Sequence, residues 1–207
     1  MALILFDFDG VLADTLGDMI QFGQEVCDEL NVKHIVTPND LEKLEIMSLA
    51  EYGRQLEVPA NLVDEFVSRC LTRFMNKPYP PKIFDGMKQV VVQLSASHVI
   101  GIVTGNSAPV VETFLFENGI RQYVHAIFGV DSPGSKAEKI SLAQNQFSAR
   151  SEAVFMIGDS ASDILAAKEA SVKGIAVSWG HQGSEILIRA QPDYFVHSPN
   201  ELLEIFE

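Results

Sequence analysis

Four short stretches of this chain carry residues able to do chemistry together. Asp7-Phe8-Asp9-Gly10-Val11 sets two carboxylates two residues apart, directly after the apolar run from Ala2 to Phe6. Close carboxylates repel one another unless a cation holds them, so the pair suits a metal and a substrate. A calcium loop of the EF-hand kind needs its glycine sixth and a helix before it, whereas Gly10 is fourth and follows a strand-like run. The second stretch, Ile102 to Ser107, ends an apolar run in Thr104, Gly105 and Asn106 before Pro109. There a hydroxyl and free backbone N–H groups can donate to an anion. In the third, Ser135-Lys136-Ala137-Glu138, Ser135 and Glu138 form a capping box that puts Lys136 in the first turn of a helix. That end carries partial positive charge and disfavours a lysine by about 0.3 to 1 kcal/mol unless an anion is near. Lys139, one turn later, is the competing lysine. The fourth is Val154 to Asp163, an apolar run followed by Gly158, Asp159, Ser160 and, four residues after Asp159, Asp163. That spacing puts both acids on neighbouring ground in a first helical turn.

Taken singly, each stretch is also an ordinary strand-to-helix turn capped by Asp, Ser or Gly. Their shared position is what argues for one site. After residue 84 the chain alternates β-rich runs near 98–103, 126–130, 153–157, 173–177 and 193–196 with helical patterns. This predicts an α/β fold, a doubly wound, Rossmann-like parallel sheet with helices on both faces. In such a sheet ligands bind beyond the carboxyl ends of the strands, where all four stretches fall. Residues 16 to 76 contain no strand-like run and read as helices rich in Leu, Glu, Phe and Met. They predict an all-helical cap inserted into the core: 16–79 for the cap, 1–15 and 80–207 for the core. Asn76 to Lys82, with three prolines, suits the return linker, and Ala13 to Leu16 the outgoing one.

A chain of 207 residues that is 47% hydrophobic can bury a substantial core. A formal net charge of −13 repels polyanions, which argues against nucleic acid or an anionic membrane as partner. The first apolar run is too short, and lacks the basic flank, for a signal peptide or a membrane span. Cys27 and Cys70, far apart and beside apolar neighbours, read as core residues, which fits a cytoplasmic protein.

Together D-x-D-G-V-L at 7–12, the strand-end Thr104, Lys136 and G-D-x-x-x-D at 158–163 resemble the phosphatases of the haloacid dehalogenase superfamily. Ile175 to Trp179 with Pro192-Asp193-Tyr194 looks like its phosphoglycolate phosphatase branch. The resemblance spans the whole chain, since the family's helical cap enters just after the first motif. It implies a phosphatase of small phosphate esters working through an aspartyl-phosphate, with Asp7 as nucleophile and Asp9 as general acid and then base. It implies Thr104 and Lys136 on the phosphoryl group, with Gly105 and Asn106 also lining the substrate. Mg²⁺ is the implied cofactor, held by Asp7, the backbone carbonyl of Asp9 and Asp159, with Asp163 behind them orienting Lys136 or a metal-bound water. Asp9 argues against the dehalogenases, which lack that acid, and Val11 departs from the Thr that many members carry. Ser48, Tyr52 and Arg54 share one helical stretch of the cap, and Arg54 is the candidate partner for a second anionic group, with phosphoglycolate the first substrate named. His181, on a loop after a strand, is a candidate secondary contact. The chain is expected as a monomer or homodimer, and a phosphosugar mutase or a non-catalytic binding protein on the same fold is the competing expectation.

Overall fold

The computed structural model describes residues 1–206. Its strands are β1 (Leu3–Phe6), β2 (Ala13–Asp14), β3 (Lys82–Ile83), β4 (Val99–Val103), β5 (Ala126–Phe128), β6 (Val154–Gly158), β7 (Lys173–Val177) and β8 (Tyr194–Val196). The α-helices are α1 (Leu16–Glu29), α2 (Pro38–Glu42), α3 (Leu49–Gln55), α4 (Val63–Met75), α5 (Met87–Ser95), α6 (Ala108–Glu117), α7 (Lys136–Gln146), α8 (Ala161–Glu169), α9 (Ser184–Arg189) and α10 (Pro199–Phe206).

Six strands form one sheet in the order β5-β4-β1-β6-β7-β8, every neighbouring pair parallel. All four residues of β1 are buried, so an uninterrupted apolar run is what this position demands. Each such side chain contributes about 1.5 to 3 kcal/mol on burial, which favours placing this run at the centre. Alternation then divides the core. Ile4 and Phe6 face one layer with Ile100, Ile102 and Ile157, while Leu3 and Leu5 face the other with Val103, Val154 and Met156. From β1 the chain runs through residues 7–98 to β4 and β5 on one side, then crosses to β6, β7 and β8 on the other. The carboxyl end of β1 is therefore where the strand order reverses, the usual ligand crevice of an open parallel sheet.

The helices α1 to α4 pack around a separate apolar cluster that includes Val26, Leu41, Tyr52, Leu56 and Phe66. Cys27 and Cys70 lie in this cluster as free thiols, and burial pushes them up to about 11 and about 12. The two linkers are not plain coil. Ala13–Asp14 and Lys82–Ile83 pair antiparallel, with Ala13 opposite Ile83. This ribbon ties the entry and exit of the helical segment together, and the prolines before Lys82 leave it short.

Candidate active site

Register brings the motifs together. Phe6 is opposite Ile102 on one side and Ile157 on the other, so Asp7, Thr104 and Asp159 all leave the same edge of three adjacent strands. The Asp7 N–H donates to the Ile157 carbonyl at 2.8 Å, extending the ladder one residue past β1. Phe8 then turns inward against Phe114, ring centroids 4.9 Å apart, and its carbonyl accepts from the N–H groups of Leu12 and Ala13. Gly10 sits at φ +75° in this turn, and a Cβ there would lie 2.0 Å from Asp159 Oδ2. Only glycine meets both requirements.

Lys136 is at the centre. Its Nζ lies 3.0 Å from Asp7 Oδ2 and also pairs with Asp163 Oδ1. The expected capping box of Ser135 and Glu138 is present and fixes where α7 begins. Lys139 is turned elsewhere: its Nζ donates to the Thr104 carbonyl at 3.2 Å, propping the end of β4. The lysine at the unfavourable helix end is thus matched by carboxylates, and Lys136, not Lys139, is the one that reaches Asp7. Burial works against the Lys136 charge, but Asp163 and Asp7 outweigh it and hold the ammonium firmly protonated.

The second acidic pair departs from expectation in detail. Asp159 precedes the helix, Ser160 is the N-cap of α8, and Asp163 is its third residue. Asp163 Oδ2 accepts from Ser160 N at 3.0 Å and Ser160 Oγ at 2.6 Å, leaving Oδ1 for Lys136. One fully buried carboxylate thus both caps α8 and orients the lysine. Asp159 Oδ2 accepts from the His181 N–H at 2.8 Å. A Cβ on Gly180 would come within 2.2 Å of the Asp159 Cβ, so Asp159 is wedged between two glycines from different loops.

Single carboxylate oxygens of Asp7, Asp159 and Asp163 lie within 4.8 Å of one another. Burial pushes Asp159 up to about 7, helped by Asp163. Burial also raises Asp7 well above the usual carboxylate range, with Asp163, Asp159 and Asp9 adding to it against Lys136. One lysine does not neutralise these acids, and hard oxygen donors crowded at this spacing fit a divalent cation. Asp9 is raised too, chiefly by burial, although His181, Asn106 and Thr15 pull the other way.

The predicted residues are not all in one role or place. Thr104 is buried, and its Oγ1 accepts from the Asn106 N–H at 3.0 Å. The Asn106 amide donates to Asp9 Oδ2 at 2.6 Å, so it holds Asp9 rather than pointing at open space. Arg54 is not brought to the site. It pairs with Glu51 at 2.6 Å on an exposed face of α3, beside Lys43 and Gln55, because its half-turn of the helix points away from the core. Tyr52 is buried in the helical cluster, its hydroxyl donating to the Met19 carbonyl at 3.1 Å. Ser48 caps α3.

Other residues were not singled out by the sequence. Met47 reaches from the helical segment into the same 280 Å³ pocket as Asp7, Asp9, Lys136 and Asp159. Thr15 Oγ1 is hydrogen-bonded to His181 Nε2 at 3.1 Å, and burial lowers His181 below the ordinary histidine range despite Asp9 and Asp14. Gln182 accepts from the Ala161 N–H at 2.5 Å and donates to the Leu44 carbonyl, joining α8 to the helical segment. His181, already named as a candidate contact from the Trp179-Gly180-His181 run, lines the same pocket as Asp7, Asp9 and Asp159, whereas nothing in the sequence marked Met47.

Residues 4–177 match the family model of haloacid dehalogenase-like hydrolases. The chain belongs to that family. Among curated relatives, it is 27% identical over 99% of its length to a phosphoglycolate phosphatase of Synechococcus elongatus, covering 96% of that protein. It is 28% identical over 98% of its length to the pyrophosphatase PpaX of Listeria monocytogenes, covering 94% of it. In fold it is similar to a haloacid dehalogenase-like hydrolase from Streptococcus pneumoniae, with a TM-score of 0.88 at 24% identity, covering all of this chain and 99% of the other. This haloacid dehalogenase-like chain is accordingly a hydrolase with the family's α/β core and helical insertion, and no helix among its described residues is long and apolar enough to cross a membrane.

Proposed function

We propose that the chain is a Mg²⁺-dependent phosphatase of small-molecule phosphate monoesters, acting through an aspartyl-phosphate on Asp7. The observation that carries the reading is Lys136 Nζ at 3.0 Å from Asp7 Oδ2 in a pocket also lined by Asp9, Thr104 and Asp159. Asp7, Asp159 and the Asp9 backbone carbonyl would hold the metal, with Asp163 behind them. Bound there, Mg²⁺ supplies positive charge that lets a phosphate dianion approach the acids and stabilises charge on the transferring group.

The chain's own residues do the rest. An Asp7 carboxylate oxygen attacks phosphorus in line with the ester oxygen; the phosphorus–oxygen ester bond breaks as the new bond forms. Asp9 gives its proton to the departing oxygen, and its raised affinity for that proton suits the task. Lys136 and the Thr104 hydroxyl hold the remaining phosphoryl oxygens. In the second half Asp9, now ionised, takes a proton from water as the water oxygen attacks phosphorus, the Asp7 oxygen–phosphorus bond breaks, and phosphate leaves. Residues 16–79 act as the cap that covers the site, on the core of 1–15 and 80–207.

The names of the relatives point to different substrates at nearly equal identity, phosphoglycolate at 27% and pyrophosphate at 28%. Phosphoglycolate therefore enters the test as one ester among several. Phosphate release from a panel of esters should require Mg²⁺, stop with chelator, and be abolished in Asp7→Asn, while acid-quenched parent protein gains the mass of one phosphoryl group on the Asp7 peptide. Turnover that persists in Asp7→Asn would overturn the mechanism.

A further inference from the structure

The phosphoryl pocket opens, past Asp9, Gly105, His181 and Met47, into a second cavity of about 430 Å³ between the helical segment and the core. Its wall on the helical side is Met19, Met47, Leu49, Leu71 and Phe74 with the Ser48 hydroxyl, and on the core side it includes Thr15, whose hydroxyl is hydrogen-bonded to His181, and Asn106, whose amide donates to Asp9. An apolar cavity of about 150 Å³ is enough to bind benzene, so this one accommodates a ring or a short alkyl chain. Among the described residues no lysine or arginine lines it. The cations of the helical segment are engaged elsewhere: Arg54 with Glu51, Arg69 with Glu29 and Glu65, Arg73 with Glu25 and Glu29, and Lys77 with Asp18. Lys33 and Lys43 line neither cavity.

Resting on the phosphatase reading above, we infer that this cavity receives the leaving group and that the preferred substrates are phosphate monoesters of uncharged, largely apolar alcohols or phenols. A second anionic group, such as the carboxylate of phosphoglycolate or the second phosphate of pyrophosphate, would enter a wall of thioether, isobutyl and phenyl groups. It would meet no countercharge there, and the Asp9 carboxyl lies at the floor. Desolvating an unpaired charge costs far more than such a wall returns. An alkyl chain instead gains about 0.8 kcal/mol per buried methylene, which is about fourfold in affinity.

The test compares straight-chain alkyl phosphates from ethyl to hexyl, an aryl phosphate, phosphoglycolate and pyrophosphate, by kcat/KM in saturating Mg²⁺. Calorimetry with the matching non-hydrolysable alkylphosphonates and phosphonoacetate reads binding without turnover. We expect kcat/KM and phosphonate affinity to rise about threefold to fourfold per methylene until the cavity fills. Phosphoglycolate should lie at least about tenfold below propyl phosphate, as an unpaired carboxylate in an apolar wall requires. Leu71→Arg, at the half-exposed mouth, should narrow or reverse that ratio by adding the missing cation. A preference for phosphoglycolate or pyrophosphate over every neutral ester, with no chain-length trend in phosphonate binding, would overturn this inference and leave the phosphatase reading intact. Chain-length-dependent phosphonate binding without hydrolysis of any ester would sustain the cavity assignment and remove the phosphatase reading. Neither binding nor hydrolysis would overturn both.

Discussion

Asp159 shows how a single side chain is set against stability. Burial and Asp163 push it up to about 7, so the folded protein keeps a proton that the unfolded chain releases near its ordinary value of 3.8. Between those values the folded state binds more protons than the unfolded one, and stability contributed by this group falls as pH rises. At about pH 8 metal-free protein therefore carries a buried charge that Mg²⁺ would relieve. Asp159→Asn should raise the Tm of metal-free protein relative to the parent, by more at about pH 8 than at about pH 5, and, with Mg²⁺ bound as proposed, should lose most of the Tm gain expected for the parent on adding the ion. A variant stabilised by Mg²⁺ as much as the parent would take Asp159 out of the metal set. Arg54 gives the opposite expectation. Exposed and paired only with Glu51 at the next turn, it should be replaceable by Ala with a stability change within about 0.5 kcal/mol and with KM unchanged for acidic and neutral esters alike.

At the scale of elements, the loop from Ser178 to Gly183 fastens the helical segment to the core. Gln182 spans the start of α8 and the Leu44 carbonyl, Gly183 N–H donates to the Glu42 carbonyl at 2.9 Å, and Arg189 pairs with Glu45. Gln182 is almost fully buried, so Gln182→Ala leaves a buried donor and a buried acceptor without partners, at a cost of about 1 to 3 kcal/mol in urea unfolding. A smaller cost, within error of the parent, would mean the loop is not the fastening. Gly180 tests the same loop from its other side. A Cβ there meets Asp159, so Gly180→Ala should weaken Mg²⁺ binding more than it lowers stability, read by calorimetry and denaturation on the same sample.

Across the whole molecule, a formal charge of −13 surrounds the pocket proposed above to take a phosphate dianion. Lys136 acts locally, but the long-range field slows approach, and added salt shortens its reach from about 30 Å at about 0.01 M to about 8 Å at about 0.15 M. Raising NaCl across that range should increase kcat/KM for a dianionic ester severalfold, and a decrease would show that local charge steers the encounter instead. The same scale explains why the sheet and the helical segment each have apolar clusters of their own. The sheet buries its own layers and α1 to α4 bury theirs, with the β2–β3 ribbon and the Gln182 loop holding the units over the pocket.

The parallel sheet, the inserted helices and the acid and lysine motifs were legible in residue order alone. Apolar runs of strand length, a capping box at Ser135 and acids after strand ends are local patterns, and local sterics and charge dictate what they form. The loop position of Lys136 already favoured it over Lys139, and tertiary structure adds where each reaches, Lys136 to Asp7 and Lys139 to the Thr104 carbonyl, because one helical turn changes which strand end a side chain meets. Tertiary structure also turned Arg54 away from the site and brought Met47 into it, since which face of a short helix or loop meets the core depends on packing between separate clusters. The apolar, cation-free character of the second cavity belongs to that same level: its wall is drawn from α1, the 47–49 turn and α4, far apart in sequence and adjacent only after the helices have packed.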